Sequence, residues 1–201
     1  MNRFLSAEQI GAIGLASVGS HVSIDRSAVI INPQHMTVGS RVRIDAFSLL
    51  IAGPAGFAIG SNVHISAAAQ IYGSSAQIVI EDFVCISSRV NLFTASDDFV
   101  EGHLAGPTVP LRFRRPTTGP IVIKRHAIVG AGSVVLPNVV VGWGATIGAL
   151  SLVKSPVPDL FVVGGCPARQ IALRRRDVLE RLEREYLEEL RNGDGPPEVR
   201  K

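Results

Sequence analysis

Aromatic side chains are scarce in this chain, at 5% of 201 residues with a single Trp and two Tyr. Stacking nucleic-acid bases takes successive aromatic faces along a basic groove, and the sequence offers neither. Charged residues are few as well, at 18%, and a formal net charge of +3 builds no basic stripe. Nucleic acid is therefore not an expected partner. The two cysteines, Cys85 and Cys166, lie too far apart in sequence for a disulfide framework or a thiolate metal site, so a reducing cytoplasm is the expected compartment. His21, His35 and His64 fall in separate stretches, which argues against a three-histidine zinc site, and no metal is expected. No apolar run approaches the roughly 20 residues that cross a bilayer. Met1–Ile10 also lacks the charged-then-apolar order of a signal peptide. Membrane insertion is not expected.

What the chain does have is branched aliphatics on a beat. Val, Ile and Leu supply 58 of the 201 residues. From Ile123 such a residue recurs every sixth position, at Val129, Val135, Val141, Ile147 and Val153. Earlier the beat runs in four groups of three: Val18, Ile24, Ile30; Val38, Ile44, Leu50; Ile59, Ile65, Ile71; and Ile80, Ile86, Leu92. Four residues after these eighteen positions stands Ala, Ser or Val in sixteen cases, Gln34 and Pro54 being the exceptions. Gly often follows the aliphatic directly, as at Gly39, Gly60, Gly130 and Gly142, and a turn that needs a permissive backbone would account for it.

A short fixed period is the mark of a solenoid. Six residues make one short strand and a corner, with the aliphatic and the small residue both inward. Three sides close a triangular turn, and successive turns pair as parallel strands about 4.8 Å apart. No side buries its apolar face alone; stacking supplies the core. Six turns give a prism about 29 Å long. Asn32–Met36, Ala52–Phe57 and Gly73–Gln77 read as small excursions at one corner. The beat breaks once, between Leu92 and Ile123, where a loop drawn at 98–121 is extruded. Long loops on rigid scaffolds usually carry function, although a trimer-stabilising arm stays open. Pro156 and Pro158 are expected to stop the solenoid. A helix follows from about Leu173 to Leu190, with Leu179, Leu182, Tyr186 and Leu190 on one face. Ser6–Ile10 reads as a short capped helix over the first coil. The expected organisation is a cap at 1–17, the solenoid at 18–158, and a turn, helix and mobile tail at 159–201.

At this point the residues resemble a known family, the hexapeptide-repeat acyltransferases, in the branch of nucleotide-sugar N-acetyltransferases similar to the perosamine enzymes. The likeness spans about residues 6–190. Beyond the repeat it rests on Ser96-Asp97-Asp98-Phe99, Pro107-Thr108-Val109-Pro110, the run Val129–Pro137, Gly148–Val153, and Gly165-Cys166-Pro167-Ala168-Arg169. The resemblance implies an all-β solenoid: a left-handed parallel β-helix of about six coils with an extruded loop and a C-terminal α-helix. The left hand comes from the resemblance alone, because parallel crossovers are otherwise right-handed. A homotrimer is implied too, with acetyl-CoA as co-substrate in the groove between neighbouring prisms. The implied acceptor is a sugar or nucleotide sugar, in surface-polysaccharide (lipopolysaccharide) synthesis.

Acyl transfer from a thioester needs a group to remove a proton, N–H donors for the oxyanion, and a hold on the pantetheine arm. Many relatives have a His base at the loop mouth; here the matching position is Asp97, followed by Asp98, and the two read either as catalytic carboxylates or as loop anchors accepting backbone N–H bonds. A sugar amine already owns a lone pair, so a carboxylate that attracts its ammonium form and then takes the proton can suffice. The substitution therefore favours N-acylation. His103 in the same loop is the rival base and would suit O-acylation of a sugar or antibiotic hydroxyl. A non-catalytic assembly scaffold is the reading from another class. For coenzyme A the resemblance points to Ala131, Ser133, Ala149 and Ser151, whose backbone groups would bond the pantetheine amides. It also points to Arg169 for phosphates and, less directly, to Lys154. The run Arg174–Arg176, with Arg175 at its centre, either adds charge near those phosphates or is the solvated start of the helix. Arg112, Arg114 and Arg115 suit a nucleotide diphosphate or are solvated loop charge. Cys85 reads as a packed small hydrophobe rather than an acyl carrier, and His126 as an outward corner. Trp143 either lines the groove or packs in the trimer.

Overall fold

The sixfold beat folds as a three-sided parallel β-solenoid, described over residues 3–192 in a computed structural model. The tail expected to be mobile lies, from residue 193 onward, outside the described residues. One face stacks strands from Ser17–Val18 to Val140–Val141, the second from Ser23–Ile24 to Phe161–Gly164, and the third from Val29–Ile31 to Leu152–Val153. Parallel register keeps the inward aliphatics in columns. Ile80 pairs with Ile59 and Ile123, Ile86 with Ile65 and Val129, and Leu92 with Ile71 and Val135. These columns are the core: Ile86, Leu92, Ile123 and Val129 are all fully buried. Val18 is 40% exposed because it sits in the first turn, at the open end of the stack. Helix α1 (Ala7–Gly11) covers part of that end with Ile10, and a capping box of Ser6 and Gln9 starts it. Among the described residues, no helix is long and apolar enough to cross a membrane.

The glycines that follow the inward aliphatics serve closeness rather than conformational freedom, which corrects the reading of a permissive turn. A Cβ on Gly39 would stand 2.6 Å from the carbonyl carbon of Gly60 in the next turn. The left-handed backbone falls instead on the third residue after the aliphatic, and on one corner these are His21, Arg41, Asn62, Phe83 and His126. Each turn's corner is fixed by a bond to the turn before: Arg41 N donates to Ser20 O at 2.8 Å, and Phe83 N to Ser61 O at 2.9 Å. The excursions also bring residues inward. Met36 and Phe57, drawn as loop ends, are buried in the first face together with Ile78 and Ile121. Ile121 thus belongs to a strand (Ile121–Ile123) and not to the extruded loop.

Pro156 and Pro158 do not stop the coil. They flank Val157, whose N–H donates to Val140 O at 2.8 Å and whose carbonyl accepts from Gly142 at 2.8 Å. Proline lacks only its own N–H, and the one donor the ladder needs belongs to Val157. Six turns close and a seventh is begun, where the sequence suggests about six. The seventh ends in an antiparallel pair, Phe161–Gly164 with Arg169–Leu173. Residues near Leu173 are therefore strand, and helix α2 starts only at Arg176 (Arg176–Arg191).

Helix α2 runs back along the corner column. Arg176 stacks over Trp143 at 4.5 Å, Glu183 bonds His126 at 2.7 Å, and Tyr186 donates to Asn62 Oδ1 at 3.0 Å. Trp143, His126, Phe83 and Asn62 mark successive turns, so ten helical residues rise about 15 Å against three strand spacings of about 14 Å. That match lets one helix touch four coils. Arg174, ahead of the helix, ties it down by donating to the carbonyls of His126 and Gly144 at 2.8 and 3.0 Å.

Candidate active site

The extruded loop leaves the third face after Asn91–Phe93 and is closed at its base by an antiparallel ribbon, Ala95–Ser96 with Thr117–Thr118. Thr94 anchors the exit: it is fully buried, and its hydroxyl donates to Tyr72 O at 2.7 Å. Asp97 stands just past that ribbon. Its Oδ2 accepts the N–H of Gly106 at 2.9 Å, and its Oδ1 lies 3.8 Å from Arg114 Nη1. The Asp97 side chain is 29% exposed and that of Arg114 19%. One carboxylate oxygen is thus held by the loop, while the other accepts no hydrogen bond among the described residues and faces Arg114.

Asp98 is a knot rather than a free carboxylate. Its two oxygens accept the N–H groups of Val100, Glu101 and His103, and Oδ2 also meets His103 Nδ1 at 2.8 Å. The backbone bonds from Glu101 and Val100, followed by the His103 ring, hold its carboxyl far below the usual carboxylate range. Those bonds suit an Asx-type turn. They also orient His103, whose Nε2 has no partner among the described residues. Arg115 pairs with Glu101 at 3.0 Å, and Arg112 stacks on Phe113 at 4.6 Å. Of the three loop arginines, only Arg114 reaches Asp97.

The positions expected to hold coenzyme A separate into two groups. Ser133 and Ser151 are buried, and both hydroxyls donate to Gly148 O, at 2.9 and 2.7 Å. Ser133 Oγ accepts from Ser151 N at 3.2 Å. The Ser133 carbonyl is occupied by Asn91 N at 2.9 Å. The hydroxyls of these serines stitch the last turns together: a small inward hydroxyl fits where the coil is tight and satisfies its own neighbours. Ala131 and Ala149 remain exposed, one above the other at the next corner. Lys154 and Arg169 line one concavity of about 210 Å³ at the C-terminal end of the prism. Arg175 lies outside that concavity; it precedes α2 and pairs with Asp177 at 2.6 Å.

Three further residues of the sequence reading take definite places. Cys85 precedes the inward Ile86 and so faces outward on the second face, half-buried, with its thiol against His64. The other side of His64 bonds Asp45 at 2.8 Å. His126 is at a corner, as its place in the repeat requires, but α2 covers it to 8% exposure. Trp143 is half-buried and lies against His126 and Arg176 under the same helix.

The fold is a parallel solenoid with an acid-bearing loop at its fourth turn, and comparison with known proteins gives the class. The profile of the bacterial transferase hexapeptide (six repeats) family matches residues 120–155. The chain is 34% identical over 177 residues to the dTDP-4-amino-4,6-dideoxy-D-glucose acyltransferase of Escherichia coli, covering 88% of this chain and 92% of that protein. It is similar in structure to AntD, an N-acyltransferase from Bacillus cereus in complex with dTDP and 3-hydroxybutyryl-CoA. The TM-score is 0.89 at 40% identity, over 95% of this chain and 100% of AntD. A point variant of AntD in complex with dTDP-4-amino-4,6-dideoxyglucose and coenzyme A matches at a TM-score of 0.89 and 41% identity, over 94% and 99% of the two chains. The chain belongs to the hexapeptide-repeat acyltransferases. Within them it falls in the sugar N-acyltransferase branch.

Proposed function

We propose that this protein transfers a short acyl group from acyl-CoA to the amino group of a dTDP-linked 4-amino-4,6-dideoxy sugar. The acetyl donor expected from the sequence is one such acyl-CoA; the 3-hydroxybutyryl-CoA held by AntD is another. The observation that carries the reading is Asp97, a carboxylate at the loop mouth with one oxygen fixed by Gly106 and the other left without a hydrogen bond among the described residues, facing Arg114. In the reaction the amine lone pair attacks the thioester carbonyl, a C–N bond forms and the C–S bond breaks. Asp97 Oδ1 receives the proton the amine sheds, and coenzyme A leaves as the thiol once a proton reaches its sulfur. Transfer is direct, without an acyl-enzyme.

The same reading carries a homotrimer in which a neighbouring prism completes each site. Its support is apolar surface on the loop: Phe99, Val100 and Leu111 are 87%, 90% and 65% exposed in the single chain. Lys154 and Arg169 are assigned to the coenzyme A phosphates and the exposed corner of Ala131 and Ala149 to its pantetheine arm. Two free thiols, one of them exposed, suit a reducing cytoplasm, where the product would enter surface-polysaccharide synthesis. One observation favours a second reading, O-acylation: the Asp98–His103 pair is a base with its orienting carboxylate. Asp97→Asn separates the two. The N-acylation reading expects turnover to fall about a hundredfold or more with acyl-CoA affinity unchanged; unchanged turnover removes Asp97 from the mechanism and favours His103.

A further inference from the structure

We propose that Arg114 is a positioning residue that drives the bound acceptor amine into its neutral, attacking form, rather than a ligand of the nucleotide diphosphate. The inference rests on the reading of Asp97 as the group that receives the amine. Arg–carboxylate pairs that exist to lock a structure close to about 2.7–2.9 Å, often through two bonds. Arg114 stops at 3.8 Å from Asp97 Oδ1. Its Nε is buried and has no hydrogen-bond partner among the described residues. A buried donor without a partner calls for an explanation. Here it leaves a guanidinium that is neither paired off nor well hydrated, with its side chain 19% exposed.

Such a cation acts by its field. An ammonium docked on Asp97 Oδ1 would sit within a few ångströms of Arg114, and a like charge at that range disfavours the protonated form. Asp97 alone would do the opposite: it would hold the acceptor as an ammonium, which has no lone pair to attack with. The pair therefore binds the amine through the carboxylate, while the field of the guanidinium favours release of the ammonium proton to solvent before attack. Asp97 Oδ1 then takes the second proton, shed once the C–N bond has formed. The other charges of the loop are spent on each other, Asp98 on His103 and Glu101 on Arg115, while Arg112 lies over Phe113. None of them takes over the place of Arg114 beside Asp97. The sequence alone could not separate Arg114 from its two neighbours.

The test is the pH profile of kcat with acetyl-CoA and dTDP-4-amino-4,6-dideoxyglucose, for Arg114→Met and Arg114→Lys. Loss of the cation should move the acid limb up by about one pH unit in Arg114→Met, and the lysine variant should restore it to within about 0.3 unit. The affinity for dTDP alone should stay within about twofold. Should the methionine variant fold poorly, Arg114→Gln carries the same expectation. An acid limb that stays in place in the neutral variant overturns the inference, and so does a tenfold loss of dTDP affinity without a shift, which would make Arg114 the diphosphate ligand. The parent reading fails differently: it falls if Asp97→Asn retains full turnover.

Discussion

His126 and Glu183 meet at 2.7 Å although 57 residues separate them in sequence. The contact joins a left-handed corner of the fifth turn to the middle of α2, and Arg125 grips the same carboxylate from the adjacent position. Burial alone would raise the Glu183 carboxyl, but the bonds from Arg125 and His126 outweigh it and hold the carboxyl below its ordinary value. The contribution of this group is therefore complete above the usual carboxylate range and is lost as pH falls through the lowered value. Glu183→Gln should cost about 2 kcal/mol near neutral pH, less than for a fully buried pair because the cluster is partly wet. Thermal denaturation checks it: the gap between wild type and variant should narrow on acidification.

Two opposite substitutions test the account of the corners. Gly39→Ala should destabilise by about 1–3 kcal/mol, because the new methyl meets the Gly60 backbone. Ala68→Gly should be neutral or stabilising by up to about 1 kcal/mol, since Ala68 holds a φ of 59° that favours glycine. Denaturant unfolding of both variants gives the signs. Equal destabilisation of the two would contradict the assignment of closeness to one position and strain to the other.

The inward beat was legible because the bore of the coil admits only an aliphatic and a small residue per side, and that constraint writes itself into every sixth position. The corners were not. His21, Arg41, Asn62, Phe83 and His126 share a backbone conformation but no chemistry, so nothing in their types announces it. The same bore accounts for the small residues Ser133 and Ser151: their smallness is already a requirement of packing. Val157 was hidden between two prolines that look like a stop. In the loop, Asp97 and Asp98 stood out as a pair, but their division of labour depends on how the chain returns at Gly106 and Arg114, and adjacency in sequence carries no record of that path.

The serine ladder gives a prediction that separates stability from binding. Ser133→Ala removes the bonds to Gly148 O and Ser151 N and should lower stability by about 1–2 kcal/mol. The KM for acyl-CoA should stay within about twofold. A large rise in that KM with unchanged stability would return Ser133 to the cofactor site.

Asp98 should matter for the loop and little for the prism. Asp98→Ala frees the N–H groups of Val100, Glu101 and His103 together with the His103 ring. The KM for the acceptor should rise about tenfold, as misplaced binding groups do, with Tm within about 2 °C of wild type because the core columns are untouched. Limited proteolysis between Phe99 and Leu104 should become faster. In the intact protein the knot should persist at pH 4, since its bonds keep the carboxylate ionised far into acid.

The central claim is acyl transfer to an amine, and the rate of thiol release from acyl-CoA tests it most directly when dTDP-4-amino-4,6-dideoxyglucose is compared with its 4-hydroxyl analogue. The account predicts rapid release with the amine and release near the no-acceptor background with the hydroxyl sugar. Release with the hydroxyl sugar alone would contradict it.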